Sequence, residues 1–248
     1  MSTKSLYRGG TLTFFDSVSF ESVSPMAALL FDDDFLGAGY GAAIPAAGSQ
    51  SAGMPWVKKI VGAGPPTVTQ VANAIGGQLA CTLLATSEKE DAVLYWNDSK
   101  SIDITKGAHF EARAQLSVLP SAAGVQAVWG LASNWIDGPD NNTCYIEFGA
   151  TANGTILMRS FDGVTQLSAA TGVTVTTADW HTYRIGCNNL ADVGFFIDGV
   201  QQNTNGQFNI AATGTLAVLQ PYCAMYKPSG TGVGTLTLDF IRAWMNRS

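Results

Sequence analysis

In three stretches of the chain, apolar and polar residues alternate at every second position, and no window holds a convincing helical period. Residues 110–116 are the cleanest case. Phe110, Ala112, Ala114 and Leu116 point one way, while Glu111, Arg113 and Gln115 point the other. Residues 143–150 repeat the pattern, with Cys144, Ile146 and Phe148 on one face. In 180–187, His181, Tyr183, Ile185 and Cys187 share a face, opposite Trp180, Thr182 and Arg184. Residues 125–132, with Trp129, and 193–197 are compact apolar runs of strand length. Asp198-Gly199 follows the second run and suits a tight hairpin, because Gly accepts positive φ at no steric cost. Residues 179–200 therefore predict an antiparallel meander. Further short runs lie at 67–72, 79–85, 92–96, 155–161, 171–176, 215–226 and 235–245. Many short strands at this spacing predict an antiparallel sandwich or barrel.

The intervening segments read differently. Residues 37–66 are rich in Gly, Ala and Pro, with one apolar interruption at 56–61, and predict a long irregular connection, anchored to a core by Trp56. Residues 87–91 (SEKED) read as a solvated turn. Residues 31–35 (FDDDF) hold three adjacent carboxylates. A calcium loop of the EF-hand type spaces its oxygen ligands at alternate positions, so this run also reads as a solvated turn.

Residues 1–28 stand apart. Lys4 and Arg8 are the only charges before Asp16, and the runs 11–15 and 18–23 look strand-like. They could be an edge strand of the main sheet, or an extended arm that adds a strand to a neighbour. Gly9-Gly10 and Ser24-Pro25 isolate the segment and favour the arm. The expected organisation is thus an arm at 1–28 for inter-subunit contacts and one all-β domain at 29–248. Lys4, Tyr7, Arg8, Phe14, Phe15 and Phe20 are the arm's candidate contact residues.

Composition narrows the function classes. The 248 residues suit one large β domain, which needs no disulfide or metal to fold. Only 13% are charged, about half the usual ~25%. The surface is then either built from Ser, Thr, Asn, Gln and Gly, or covered in an oligomer or lattice. Net charge is −6 and Lys58-Lys59 is the only basic pair, which argues against nucleic acid as a partner. Cys81, Cys144, Cys187 and Cys223 sit in apolar runs without zinc-ligand spacing and read as small buried hydrophobes, so neither metal nor cofactor is expected. The N-terminus has no apolar signal-like stretch and no apolar run reaches 18 residues, so neither secretion nor a membrane span is expected. His109 and His181 alternate with strand neighbours and read as packing or surface residues. No nucleophile elbow or phosphate-binding Gly loop is present.

Three segments in order resemble the concanavalin A-like jelly-roll superfamily, and most closely its laminarinase-like branch, the family-16 glycoside hydrolases. They are GAHFEARAQL at 107–116 with Val128-Trp129-Gly130-Leu131; Trp180-His181-Thr182-Tyr183-Arg184 leading to Phe195-Phe196-Ile197-Asp198-Gly199-Val200; and Leu238-Asp239-Phe240-Ile241-Arg242-Ala243-Trp244. The resemblance runs from about residue 67 to about residue 245 and implies an antiparallel β-sandwich jelly roll. It also implies where catalysis would sit. That family carries Glu-x-Asp-x-Glu on the strand after the Trp strand, which puts three carboxylates on one face. A retaining glycosidase needs two of them about 5–5.5 Å apart. Here the strand reads TCYIEFGAT at 143–151, and Glu147 is its only carboxylate. Thr143 and Tyr145, or Gly149 and Thr151, fill the other places. The resemblance therefore implies the fold without the chemistry, and no catalytic residue is carried over.

The remaining expectations follow. Lectin-like members of the superfamily bind sugars through loop Asp, Asn and aromatic residues. The matching stretch here is Trp135, Asp137, Asp140 and Asn141, where ordinary turn chemistry explains the same residues. The chain also looks like the stand-alone jelly-roll proteins of tailed bacteriophages. That resemblance implies a virion structural protein, made in the host cytoplasm, that decorates or cements the capsid surface. Its partners would be the major capsid protein and its own copies, a trimer if it occupies threefold positions. A carbohydrate-binding module of a tail fibre or other host-contacting appendage is the alternative.

Overall fold

In the computed structural model the described residues are 3–8, 11–16, 22–25, 29–36, 44–49, 54–177 and 179–246, with backbone alone through residue 29. The strands, in chain order, are β1 Thr3–Arg8, β2 Thr11–Asp16, β3 Ser22–Pro25, β4 Leu29–Asp33, β5 Val57–Val61, β6 Thr67–Gln70, β7 Leu79–Thr82, β8 Glu90–Tyr95 and β9 Ile102–Asp103. They continue with β10 His109–Val118, β11 Gln126–Ala132, β12 Tyr145–Ala150, β13 Thr155–Phe161, β14 Gln166–Thr174, β15 His181–Gly186, β16 Gly194–Ile197, β17 Val200–Gln201, β18 Val218–Lys227 and β19 Thr235–Met245. Helical structure among the described residues is confined to short 3-10 turns.

Two antiparallel sheets form a sandwich. The first runs β17-β16-β15-β10-β19-β7-β6, and the second runs β14-β13-β12-β11-β18-β8-β5. β4 joins the first through the C-terminal half of β19, and β9 joins the second through the start of β18. The expected alternation places the core. Phe110, Ala112, Ala114 and Leu116 of β10 meet Trp129 of β11, Ile146 and Phe148 of β12, and Tyr183 and Ile185 of β15 between the sheets. The Trp129 ring contacts Tyr183 at 4.8 Å edge-on, and Phe148 meets Phe195 at 5.2 Å. Such aromatic pairs add about 0.5–1.5 kcal/mol each beyond their area. All four cysteines are buried and unpaired. Burial pushes the thiols of Cys81, Cys144 and Cys187 up to about 12, so they stay inert neutral hydrophobes.

The 179–200 meander forms as the alternation predicts. β15 pairs with β16, and Ile197 pairs with Val200 across a two-residue turn. Asp198 and Gly199 both have positive φ (49° and 79°), the geometry that matches the right-handed twist of the flanking strands.

Three expectations are corrected. Residues 31–35 are not a solvated turn. Phe31, Asp32 and Asp33 belong to β4, Asp32 accepts from Arg242 at 2.8 Å, Asp33 accepts from the Trp56 indole at 2.8 Å, and Phe35 is fully buried. Residues 87–91 are not a solvated turn throughout. Glu90 and Asp91 open β8 and are buried, because each has a specific partner across the fold. The connection 37–66 contains a strand, β5, which pairs with β8 and carries Lys58 and Lys59 into the sheet. Trp56 is fully buried and anchors that connection as expected.

The N-terminal segment holds three of the strands. β1, β2 and β3 pair antiparallel with one another as a small sheet of their own, which among the described residues shares no strand with the two large sheets. Lys4 pairs with Phe15 and Tyr7 with Leu12 across the β1–β2 hairpin. Phe20 lies outside the described residues.

Candidate functional site

The alternation that buries Ile146 and Phe148 between the sheets turns Tyr145, Glu147 and Gly149 of β12 to the outer face of the second sheet. Glu147 stands opposite Gly130 on β11 and Arg159 on β13. Gly130 is required by close approach. A Cβ there would come within 2.4 Å of the Ile146 carbonyl oxygen and 2.6 Å of Glu147 Cα. A Cβ at Gly149 would come within 3.0 Å of Arg159 Cδ, so that glycine makes room for the arginine stem.

Around Glu147 the face is apolar. Val57, Val93, Tyr95, Val128, Ala132, Tyr145, Tyr222 and Ala224 form a second buried cluster there. This cluster is roofed by the chain itself. The loop between β11 and β12 leaves at Ala132 and folds back along the sheet. Its Asp140 accepts from Gln126, at the opposite end of β11, at 2.8 Å. At ~3.3 Å per residue, the loop spans about 20 Å of strand. Trp135 donates to Asp91 at 2.8 Å, and Lys59 lies 4.5 Å from the Trp135 ring centroid. Asp137 pairs with Lys89 at 2.6 Å. Gly138, with φ of 81°, sits so close to the Tyr226 ring that a Cβ would fall 2.7 Å from it.

Under this roof Glu147 is 0% exposed. Arg159 Nη1 lies 3.4 Å from its Oε1, and neither carboxylate oxygen has a hydrogen-bond partner among the described residues. Burial pushes the Glu147 pKa up to about 8, only partly offset by Arg159. Arg159 is itself shared, pairing with Asp140 and donating to Gln126 at 3.0 Å. Asp91, held by the Trp135 indole, is raised to about 7, again chiefly by burial. Burial thus favours the neutral acid form of Glu147, sealed from water beside a guanidinium that a second carboxylate also engages. The positions where a catalytic strand would hold further acids carry Tyr145, whose hydroxyl accepts from Gln166 at 2.6 Å, and Gly149.

Trp135, Asp137, Asp140 and Asn141, singled out as a possible glycan contact, all lie on this loop. Their polar groups are engaged within the chain: Trp135 to Asp91, Asp137 to Lys89, Asp140 to Arg159 and Gln126, and the Asn141 amide to the Asp137 carbonyl. Sequence reasoning missed Arg159 and Asp91. The signal for Arg159 was present as a lone arginine inside the apolar run TILMRSF, because a buried strand carries a charge only opposite a partner. The two histidines take the two roles expected, His109 as a packing residue and His181 nearer the surface. His109 stacks on Trp244 with centroids 4.9 Å apart, and His181 pairs with Asp198 at 2.6 Å. No group of three His, Cys, Asp or Glu side chains among the described residues is placed to hold a metal ion.

No family model matches the sequence, and no curated protein matches it. Solved structures do resemble the fold. A protein of unknown function from Shewanella oneidensis MR-1 superposes with a TM-score of 0.59 at 9% identity, covering 87% of this chain and 85% of that one. The endo-1,3-beta-glucanase from Streptomyces sioyaensis gives 0.55 at 17% identity over 87% and 95%. The Bacillus licheniformis beta-glucanase gives 0.52 at 11% identity over 88% and 98%. The chain therefore has the concanavalin A-like jelly-roll fold of the glucanases. At these identities the likeness is one of fold.

Proposed function

We propose that this chain is a non-catalytic jelly-roll module that serves as a virion structural protein, a decoration or cement protein on the outer capsid shell. The observation that carries the non-catalytic part is the closed outer face of the second sheet. A polysaccharide cannot reach Glu147 unless the β11–β12 loop leaves, and Glu147 has no second carboxylate on its own strand. The attachment part is supported by the N-terminal sheet. Its edge strands, β1 and β3, offer backbone groups to which a neighbour can add a strand. The low charge, 13%, suits a surface that is largely covered in an assembly. Partners would be the major capsid protein and further copies of this chain, with many modest contacts summing through avidity.

Removing residues 1–28 tests the attachment. The truncated protein is expected to fold and to stop co-sedimenting with capsids, while the full chain binds. Undiminished capsid binding by the truncated protein would overturn the assignment of attachment to this segment. Carbohydrate binding through Trp135, Asp137, Asp140 and Asn141 is the weaker reading, because those groups are already engaged within the chain.

A further inference from the structure

The free edges of the two large sheets are not alike. An open edge offers unpaired N–H and C=O groups to any strand that meets it, and proteins guard it with short strands, Lys, Pro, bulges or a covering segment. Three of the four ends are guarded. β6 spans four residues and follows Pro65-Pro66. β17 spans two. β5 carries Lys58 and Lys59, and residues 45–47 run along it, hydrogen-bonded to the Lys58 backbone at 2.9 Å. β14, at the end of the second sheet, spans nine residues with neither a charge nor a proline. Residues 163–178 around it hold no charged side chain, in a chain of net charge −6.

Part of β14 has its own guard. The register with β13 shifts between Thr155 and Leu157, and Gly172 opposite has φ of 80°. Thr171 closes this bulge by donating its hydroxyl to the Ile156 carbonyl at 3.1 Å and accepting from the Val173 amide at 3.0 Å. Residues 166–170 are the regular part, paired one for one with 157–161 on one side only. Among the described residues no hydrogen bond reaches their backbone from the other side. Gln166, Ser168 and Ala170 face outward and are exposed. Leu167 and Ala169 pack against the core from this edge and stay only partly buried. A strand laid along β14 would hydrogen-bond the edge and cover both.

We infer that residues 166–170 of β14 are a self-association edge, occupied by the same strand of a second copy of this chain, antiparallel about a twofold axis. The strand is its own complement. An axis at Ser168 sets Gln166 against Ala170, Leu167 against Ala169 and Ser168 against Ser168. Each of these pairs keeps core-facing side chains on the core face. None opposes like charges, which would be unfavourable, and the charge-free stretch lets two acidic copies meet. The interface is isologous and joins two second sheets into one continuous sheet. Only a short segment pairs, so the contact buries little area and is weak, formed at high micromolar concentration. It uses neither the N-terminal sheet nor the β11–β12 loop, so it stands apart from the capsid reading.

Hydrogen exchange read by mass spectrometry, with sedimentation equilibrium on the same samples, tests the edge in the full chain. From low to high micromolar concentration, amides within 166–170 are expected to gain protection while the sedimentation mass rises toward that of a dimer. Peptides over β6 and β17 should not change. Ser168→Glu would set two carboxylates opposite each other in the dimer, while within one copy it faces Arg159 across the sheet. It should weaken association at least tenfold and abolish the concentration-dependent protection. Ala170→Lys, a charge on the exposed face, should do the same, and Gln201→Glu on β17 should do neither. A chain that stays monomeric at high micromolar concentration, association that protects another segment instead, or association untouched by either folded β14 variant would each overturn the assignment.

Discussion

Replacing Lys227 by Met is expected to lower stability by about 3–5 kcal/mol, the usual cost of leaving one partner of a buried ion pair alone. Lys227 and Glu90 are both fully buried, and they are register partners across β18 and β8. The Lys227 ammonium lies 3.3 Å from Glu90 Oε2 and donates to the carbonyls of Leu84 at 2.5 Å and Thr86 at 2.7 Å. Glu90 in turn accepts from the Leu84 amide at 2.8 Å and from the Thr86 hydroxyl. One buried pair thus fastens the turn after β7 to the second sheet. Met matches the stem of Lys but leaves a carboxylate and two carbonyls short of a donor. For a chain of this size the loss corresponds to a fall in Tm of about 6–20 °C, measurable by calorimetry. The double variant Glu90→Leu/Lys227→Met should recover part of the loss, since it removes the stranded charge, but not all of it, since the carbonyls remain. An unchanged Tm in Lys227→Met would show that this pair does not hold the turn.

The second large effect is on pH dependence. Burial raises Glu147 to about 8 and Asp91 to about 7 in the folded chain, above the ordinary carboxylate range that the unfolded chain shows. Between those limits the folded state binds more protons than the unfolded state, so stability falls as pH rises. His181 acts in the same direction. Its pKa is raised by the hydrogen bond to Asp198, so its contribution is present below its ordinary pKa and is lost as pH climbs through the raised one. The carboxylates with lowered pKa, such as Asp162 and Asp179, titrate further down and are silent in this window. Taking 1.36 kcal/mol per pH unit and proton, stability should drop by about 2 kcal/mol or more between pH 6 and pH 8.5, or ~4–8 °C in Tm. Glu147→Gln should flatten the curve and raise Tm above that of the parent at pH 8.5. A parent Tm that is level or higher at pH 8.5 would show that Glu147 and Asp91 are not held protonated by burial.

Much of the fold was legible in the sequence, for physical reasons. A strand buried on one face must alternate, so the core positions of β10, β12 and β15 could be read directly. Asp198-Gly199 could be read as a turn because few dipeptides tolerate two consecutive positive φ angles. The polar interior was not legible. Glu90 and Asp91 look like part of a solvated charge run because their partners, Lys227 and Trp135, are distant in sequence. The roof over Glu147 was hidden for a related reason. A hairpin loop normally stays at its own end of the sheet, and only the contacts of Asp140 with Gln126 and Arg159 carry this one back along β11. The sequence did show that Glu147 stands alone on its strand, and the structure adds that it is also shut from water.

Whether that closed face catalyses anything is decided most directly by a hydrolysis measurement. The full chain and its Glu147→Gln variant would be incubated with β-1,3- and β-1,4-linked glucans, and released reducing ends counted. No release above the buffer blank by either protein is the predicted result. Release by the parent that disappears in Glu147→Gln would contradict the account, because it would require the loop to open and Glu147 to act with a second acid.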